Sequence, residues 1–169
     1  NTVFTTHTAV AAGHDHFLSL YDPLTRLLGA RRARARLLDA ANVQPGERVL
    51  DLGCGTGELS LALLRREPAA QVVGLDPDPK ALALARKKAE AAGLPLELHT
   101  GYAGRAPFPA GSFDHVVSSL VIHHLRSDDK REAFRDVRRL LRPGGALHLL
   151  DFGPAKNGDR KSTRLNSSH

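Results

Sequence analysis

The chain has 169 residues, of which 41% are hydrophobic, and this size and composition favour one soluble globular domain. No run of about eighteen consecutive apolar residues occurs, so we expect no transmembrane helix. The single cysteine excludes an internal disulfide framework and suits a reducing compartment, which predicts a cytoplasmic protein. The net charge is +6, and residues 159–169 contribute three bases and one acid to it. The remaining excess is modest, so we expect no nucleic-acid partner.

Residues 1–44 are predicted to form a helical segment that caps a substrate site. Residues 7–41 have the leucine spacing of one or two helices. Four arginines in this segment favour a solvated helix face, although a contact with phosphate is the alternative. His14 and His16 flank an acid, but without further ligands an exposed helix turn is preferred to a metal site. The leucines are Leu24, Leu27, Leu28, Leu37 and Leu38, and the arginines are Arg31, Arg32, Arg34 and Arg36.

The stretch VLDLGCGTGELS, residues 49–60, places three glycines between a predicted buried strand and a predicted helix. Glycine permits positive φ angles and lets a ligand approach the main chain. The unpaired N–H groups at the start of the helix favour a negative group such as a carboxylate. The spacing is GxGxG, which differs from the GxGxxG of dinucleotide sites, and no lysine follows as in a P-loop. We therefore expect Gly53, Gly55 and Gly57 to form a ligand-binding loop.

Asp76 ends the second predicted strand, QVVGLD. A carboxylate at this place can accept hydrogen bonds from both hydroxyls of a ribose, and a turn begun with Pro77 is the alternative role. The next segment, PDPKALALARKKAEAAG, predicts a helix. Asp78 is its expected N-cap, Pro79 lies in its first turn and Gly93 ends it.

Three further strands and one helix complete the pattern. The strands are LELHTG, FDHVVSSL and ALHLLDF. The helix, SDDKREAFRDVRRLL, has Ser127 as its expected cap and ends at Pro143-Gly144-Gly145. Repeated β-α-β units predict a mainly parallel sheet with helices on both faces, which is a Rossmann-like three-layer α/β/α sandwich. Such sheets bind ligands beyond the carboxyl ends of their strands, where the glycines and Asp76 lie.

Four segments in order resemble the motifs of class I S-adenosylmethionine-dependent methyltransferases: VLDLGCGTG, VVGLDPDPKAL, PFPAGSFDHVVSSLVIHHL and RLLRPGG. The resemblance is to the subgroup that acts on small molecules, which includes ubiquinone and menaquinone methyltransferases. It implies that residues 45–158 form an S-adenosylmethionine-binding core, incomplete at its end. The implied function is transfer of a methyl group from S-adenosylmethionine to a small-molecule acceptor by in-line displacement.

The same resemblance implies roles for the matched residues in the first two motifs. The glycine loop holds the methionyl part of the donor, and Asp51 organises this loop and the ammonium group. Asp76 binds the ribose, and Pro77 lies against the adenine. The implied cofactor-binding set is Asp51, Gly53, Cys54, Gly55, Gly57, Asp76, Pro77, Tyr102, Ala103, Ser118 and Ser119.

Two positions in the set need comment. Tyr102 and Ala103 border the adenine edge. The family commonly has an acid where this chain has Tyr102, and the binding free energy of the donor would weaken by about 1–3 kcal/mol if the hydrogen bond to this acid is not replaced. Cys54 has no activating base beside it in sequence, so a small packed side chain is preferred to a nucleophile.

The fourth predicted strand ends near the expected sulfonium position, at Ser118 and Ser119. His123 and His124 follow it and face the place of an acceptor. Histidine titrates near neutral pH, so either residue could remove a proton from the acceptor. A role in capping the strand or orienting the loop stays open beside this catalytic role.

The family fold usually has two more strands, an antiparallel hairpin beside the fifth. Residues 159–169 resemble a translated sequencing adapter and are interpreted as a non-native tail, so we expect the natural sequence to stop soon after ALHLLDFGPAKNG. We therefore expect ALHLLDF to form an exposed, aggregation-prone edge, and whether the fragment turns over is open. No methionine occurs, so a natural start upstream is expected and a targeting segment stays open.

Two other functions share this fold. A nicotinamide-dependent oxidoreductase is disfavoured by the glycine spacing and by the RPGG segment. An RNA methyltransferase would use the arginine helix, but it more often has an Asn/Asp-Pro-Pro-aromatic motif where this chain has SSLV. The identity of the acceptor and the oligomeric state are not readable from the sequence.

Overall fold

The structure, a computed structural model, describes residues 3–9, 22–119 and 126–152, with side chains for residues 29–119 and 126–150. Within these ranges, strands and helices alternate from β2 to β4, and a helix again separates β5 from β6. The strands are β1 (Val3–Ala9), β2 (Arg48–Leu52), β3 (Gln71–Asp76), β4 (Glu97–Thr100), β5 (Phe113–Ser119) and β6 (Leu141–Phe152). The helices are α1 (Asp22–Ala41), α2 (Glu58–Arg66), α3 (Pro79–Ala92) and α4 (Ser127–Leu140).

The six described strands form one parallel sheet in the order β1-β6-β5-β2-β3-β4. The chain starts the central part of the sheet at β2 and adds β3 and β4 on one side. It then returns to add β5 and β6 on the other side. The change of direction between β2 and β5 is the switch point at which α/β sheets bind ligands. The predicted fold class, a parallel sheet between helices, is confirmed.

Alternate residues of each strand face two different layers, because side chains in a strand point to opposite faces. Val49 and Val72 pack with leucines of α1 and α2, whereas Leu50 and Val73 pack with residues of α4. Burying such a side chain stabilises the fold by about 1.5–3 kcal/mol. Asp51 lies two residues after Val49, so its carboxylate is on the α1 and α2 side. The helical residues in these two clusters include Leu37, Leu38, Leu59, Leu63 and Leu64 on one face, and Val137 and Leu140 on the other.

The predicted ends of α3 are confirmed, whereas those of α4 are not. Asp78 caps α3 by accepting a hydrogen bond from the Lys80 N–H at 2.8 Å, and Gly93 ends the helix with a φ of 64°. In α4 the N-cap is Arg126, so the expected cap, Ser127, is already helical. Two aspartates in the first turn of α4 interact favourably with the positive end of the helix dipole, and no side chain caps the helix. The helix ends at Leu140, before the predicted Pro-Gly-Gly stop, because the chain becomes strand β6 there.

The edge of the sheet beside β6 differs from the expectation. The prediction of an exposed ALHLLDF edge is wrong, because β1 pairs with β6 in parallel from Val3 opposite Ala146 to Ala9 opposite Phe152. The helical prediction is also wrong for residues 7–9, which belong to β1. The segment VFTTHTA is rich in β-branched residues and satisfies the main-chain groups of β6 that would otherwise be unpaired.

The described part of α1 confirms a helix in the first 44 residues, and Leu37 and Leu38 are buried as predicted. Leu24, Leu27 and Leu28 lie outside the residues whose side chains are described. The same is true of the adapter-like tail. No helix among the described residues has the length and apolar character needed to cross a membrane.

Candidate functional site

The candidate site lies at the carboxyl ends of β2, β3, β4 and β5. At this edge the strands are followed by the glycine loop (residues 53–57), by the turn after Asp76 and by the β4–β5 loop (residues 101–112). Because these strands are adjacent and parallel, residues far apart in the sequence meet here. The predicted cofactor-binding residues with described side chains all come from these segments or from the strand ends beside them.

The glycine loop turns sharply away from β2 toward α2. Gly53, Gly55 and Gly57 have φ angles of 73°, 52° and 81°, all in the left-handed region that favours glycine. The N–H groups of Gly53 and Cys54 both donate to the Leu75 carbonyl, at 2.8 and 3.1 Å, which ties the loop to the end of β3. A Cβ added at Gly57 would lie 3.0 Å from the Ala85 Cβ, whereas one added at Gly55 would meet no atom within 4 Å. The space beside Gly55 is therefore open to a ligand.

Asp76 faces the glycine loop. Its Oδ2 accepts a hydrogen bond from the Gly55 N–H at 2.8 Å, and its Oδ1 accepts one from the Asp78 N–H at 2.9 Å. Asp76 therefore also has the alternative role of starting a turn, because its Oδ1 binds the main chain of that turn. A carboxylate has about four lone-pair positions, so these two bonds leave acceptor capacity for two hydroxyl groups. Pro77 is exposed directly beyond it.

Asp51 is buried beneath the loop, with 1% of its surface exposed. Its Oδ2 accepts a hydrogen bond from the Ser60 hydroxyl at 2.6 Å, and its carboxylate also accepts the Ser60 main-chain N–H. The pKa of Asp51 is raised to about 6, mainly by burial. The negative charge of Asp76 adds to this rise, and the bonds from Ser60 oppose it. The two carboxylates make this edge negative and suited to a cationic group.

The start of α2 carries compensating charges. Lys88 of α3 donates to the Thr56 hydroxyl at 3.0 Å and to Glu58 Oε1 at 2.6 Å, and the hydrogen bond to Lys88 lowers the pKa of Glu58. The positive charge of Arg34 in α1 lowers the pKa of both Asp51 and Glu58, and its side chain is half-buried. Arg34 is thus less solvated than the sequence predicted. The other arginines predicted to be solvated are exposed as expected, and they are Arg31, Arg32 and Arg36.

Cys54 is packed against β3. It is 8% exposed, and a Cβ added at Gly74 would lie only 2.8 Å from its sulfur. Burial, followed by the charges of Asp51 and Asp76, raises the pKa of the Cys54 thiol. A thiol that stays protonated is a poor nucleophile, which supports the packing role.

The β4–β5 loop begins at Gly101, whose N–H donates to the Asp76 carbonyl at 3.1 Å. The next residue, Tyr102, has 69% of its surface exposed, and Ala103 packs against the hydrophobic core. The phenol of Tyr102 is therefore accessible to a ligand but is not held in place by the protein core.

The two serines at the end of β5 are not equivalent. Ser118 is 1% exposed and its hydroxyl donates to the Leu52 carbonyl at 2.8 Å, so it joins β5 to β2. Ser119 is half-buried at the very end of the described strand. His123 and His124 lie outside the described residues, as do His14, Asp15 and His16. Among the residues that the structure describes, no cluster of histidine, cysteine or acidic side chains is suited to a metal ion.

The arrangement fits a nucleoside that carries a cationic amino-acid side chain. Asp76 has acceptor capacity left for hydroxyls, the carboxylates of Asp51 and Asp76 lie close enough to influence each other, and the space beside Gly55 is open. Sequence reasoning missed three supporting residues, Ser60, Lys88 and Gly74, because they carry no motif of their own. The fold defines a class of protein, an α/β domain whose candidate site lies at the carboxyl edge of a parallel sheet.

Comparison with known proteins gives the family. A family model described as a methyltransferase domain matches residues 49–145, more than half of the chain. The chain belongs to this methyltransferase family, in the class I S-adenosylmethionine-dependent group of the ubiquinone and menaquinone type. Membership confirms the resemblance seen in the four motifs.

Two curated relatives illustrate the match. The demethylmenaquinone methyltransferase of Thermus thermophilus is 43% identical over 141 residues, which are 82% of this chain and 63% of that protein. The ubiquinone/menaquinone biosynthesis C-methyltransferase UbiE of Bordetella avium is 35% identical over 136 residues, 78% of this chain and 52% of that protein. The chain thus spans little more than half the length of these relatives. They give no support to an oxidoreductase or an RNA methyltransferase.

Solved structures agree on the fold. The YcgJ protein from Bacillus subtilis is 29% identical with a TM-score of 0.66, covering 72% of this chain and 50% of that one. The [4+2]-cyclase SpnF is 28% identical with a TM-score of 0.66, covering 72% of this chain and 44% of that one. Since SpnF is named a cyclase, the fold alone does not fix the reaction, and function has to be argued from the site.

Proposed function

We propose that the protein transfers a methyl group from S-adenosylmethionine to a small-molecule acceptor. The observation that carries this proposal is the contact between the glycine loop and Asp76, in which the Gly55 N–H lies 2.8 Å from the carboxylate at the switch point of the sheet. This contact places the acid beside the open space over Gly55. The family membership supports the same donor.

Different residues around this contact would bind different parts of the donor. Asp76 would accept the ribose hydroxyls, with Pro77 against the adenine. The glycine loop would hold the methionyl part, and Asp51 would favour its ammonium group through charge. Arg34 and the positive end of the α2 dipole would favour its carboxylate.

The remaining predicted residues would contact or support other parts of the donor and the acceptor. Tyr102 and Ala103 would border the adenine edge, and Cys54 would line the glycine loop as a packed side chain. Ser118 would support the end of β5, and Ser119 would lie near the sulfonium. His123 or His124 would receive a proton from the acceptor.

The chain's own residues have mainly to bind and align. S-adenosylmethionine, when bound, supplies a methyl group on a positively charged sulfur that is ready for displacement. Because the donor brings this activation, the protein contributes by fixing the direction of attack and excluding water. The negative charges of Asp51 and Asp76 favour the charged donor over its neutral product, which would help product release.

The acceptor that we propose is a quinone precursor of the demethylmenaquinone class. This choice rests on the printed names of the relatives from Thermus thermophilus and Bordetella avium. Residues 1–44 would cap the acceptor, as proposed for this segment from the sequence. A cytoplasmic location is proposed from the single cysteine.

Calorimetry with S-adenosylhomocysteine, the demethylated product, tests the donor site. In Asp76→Asn the amide oxygen can still accept the Gly55 N–H, but the amide nitrogen cannot accept the Asp78 N–H, and the charge and part of the acceptor capacity for ribose are lost. We expect affinity to fall by about tenfold to a hundredfold, the range for losing one or two hydrogen bonds to a charged group. The matched control is Asp114→Asn, because Asp114 also pairs with a main-chain N–H, that of Arg48 at 2.8 Å, but at the opposite edge of the sheet. Equal affinities of wild type and Asp76→Asn would overturn the proposed site.

A further inference from the structure

Helix α4 holds the β4–β5 loop through a charged pair that has no part in the donor contacts proposed above. Asp136 is 7% exposed, and its Oδ2 accepts the Ala106 N–H at 2.7 Å. Its Oδ1 accepts a hydrogen bond from Arg139 Nε at 2.8 Å. A buried carboxylate with both oxygens used in this way fixes the main chain that it contacts.

Arg139 extends the contact along the same loop. Its guanidinium donates to the Phe108 carbonyl at 2.6 Å and to the Ala106 carbonyl at 3.1 Å. Its own carbonyl accepts the Gly111 N–H at 2.9 Å. One residue of α4 therefore binds three points of the loop.

The beginning of the loop also packs closely on α4. Gly104 has a φ of 97°, and a Cβ added there would lie 3.1 Å from the Glu132 Cβ. Ala103 packs against the core cluster that contains Val137 of α4. Tyr102, next to this anchored segment, is a large side chain of the loop that lies outside the core, with 69% of its surface exposed.

We propose that Asp136 and Arg139 are positioning residues that set the affinity for the adenosyl half of the donor by fixing the β4–β5 loop. The inference rests on the proposed function, which places Tyr102 and Ala103 at the adenine edge. Neither side chain of the pair touches the donor. Their loss would let the loop sample more conformations, so ordering it would oppose binding.

The absence of tryptophan from the chain provides a direct reporter. Tyr102→Trp places a single indole at the exposed position of the loop, and all comparisons are made in this parent. Arg139→Gln removes the ion pair and most of the carbonyl contacts. We expect lower indole fluorescence anisotropy without any ligand, and an affinity for S-adenosylhomocysteine weakened by about tenfold. Arg139→Lys keeps the charge beside Asp136 and should restore part of both signals.

Arg142→Gln is the matched control, because Arg142 pairs with Asp114 at 2.7 Å in the same kind of ion pair away from the loop. It should leave the anisotropy and the affinity unchanged even if it lowers the melting temperature. 5′-Methylthioadenosine, which lacks the amino-acid part, should lose affinity in Arg139→Gln by a similar factor, since the effect is assigned to the adenosyl half.

The outcomes separate this inference from the proposed function. If the parent binds S-adenosylhomocysteine and Arg139→Gln binds it equally well, the positioning role is overturned and the donor site stands. A fall in anisotropy without a change in affinity also overturns it, because the loop then moves without consequence for the donor. If the wild-type chain shows no binding at all, the proposed function fails, and the donor part of this inference fails with it.

Discussion

Asp51 shows how a single buried group affects both stability and binding. Its carboxylate is 1% exposed and is held by Ser60, and it lies close enough to Asp76 to be influenced by that charge. A buried acid is expensive to ionise, but the two hydrogen bonds from Ser60 offset part of this cost. The result is a carboxyl group with a pKa of about 6, which a cationic ligand would lower again.

Asp51→Asn tests this at the residue scale. Because the folded-state pKa of about 6 lies above the ordinary aspartate pKa of 3.8, ionisation of Asp51 removes stability as the pH rises through this interval. The free energy of unfolding of Asp51→Asn relative to wild type should therefore increase by roughly 2–3 kcal/mol between pH 4 and pH 7. Urea denaturation at several pH values measures this difference. A difference that stays constant over this range would contradict the raised pKa.

At the scale of elements, the N-terminal strand β1 changes the edge of the sheet. β6 has β5 on one side and β1 on the other, so its main-chain groups are paired on both sides over residues 146–150 and, among the described strands, by β1 alone at residues 151–152. Along this stretch the sheet edge is β1, and the predicted aggregation of an apolar β6 edge loses its basis.

Hydrogen exchange tests the pairing of β1 with β6. Amides of residues 147–151 should exchange slowly in the wild-type chain. Thr6→Pro removes a main-chain donor and disfavours the strand, so it should speed exchange in β6 while the β3–β4 pair stays unchanged. Fast exchange of β6 in the wild type would show that β1 does not cover this edge.

The elements from β2 to β6 were predictable because their apolar periods and their turn residues agree. QVVGLD matches β3 at both ends, and Asp78 and Gly93 mark the ends of α3 as expected. β1 was missed because VFTTHTA is short and mixed in polarity, and its strand state depends on a partner 143 residues away at Ala146. The prediction of Ser127 as the cap was wrong by one residue. Tertiary contacts help to set where the first helical turn begins, and the sequence does not show these contacts.

At the scale of the whole molecule, the site depends on strand order. The glycine loop and Asp76 could be placed together from the sequence, because consecutive parallel strands bring their carboxyl ends to one edge. The supporting contacts could not, since Lys88 is 30 residues from Glu58, and Asp136 is 30 residues from Ala106. Such pairs depend on how helices pack on the sheet, which local patterns do not specify.

The proposed donor site and the proposed acceptor site involve different parts of the chain. His123 and His124 lie outside the described residues, and the relatives extend well beyond the length of this chain. The residues of the proposed donor site all lie in the described part of the chain, so the position of the donor can be tested on this chain.

A crystal structure of the chain grown with S-adenosylhomocysteine tests that claim most directly. We expect a ligand over Gly55, with both ribose hydroxyls about 2.6–3.0 Å from the Asp76 carboxylate and its amino-acid end near Asp51 and Arg34. A ligand bound elsewhere, or one whose ribose lies beyond hydrogen-bond distance of Asp76, would contradict it.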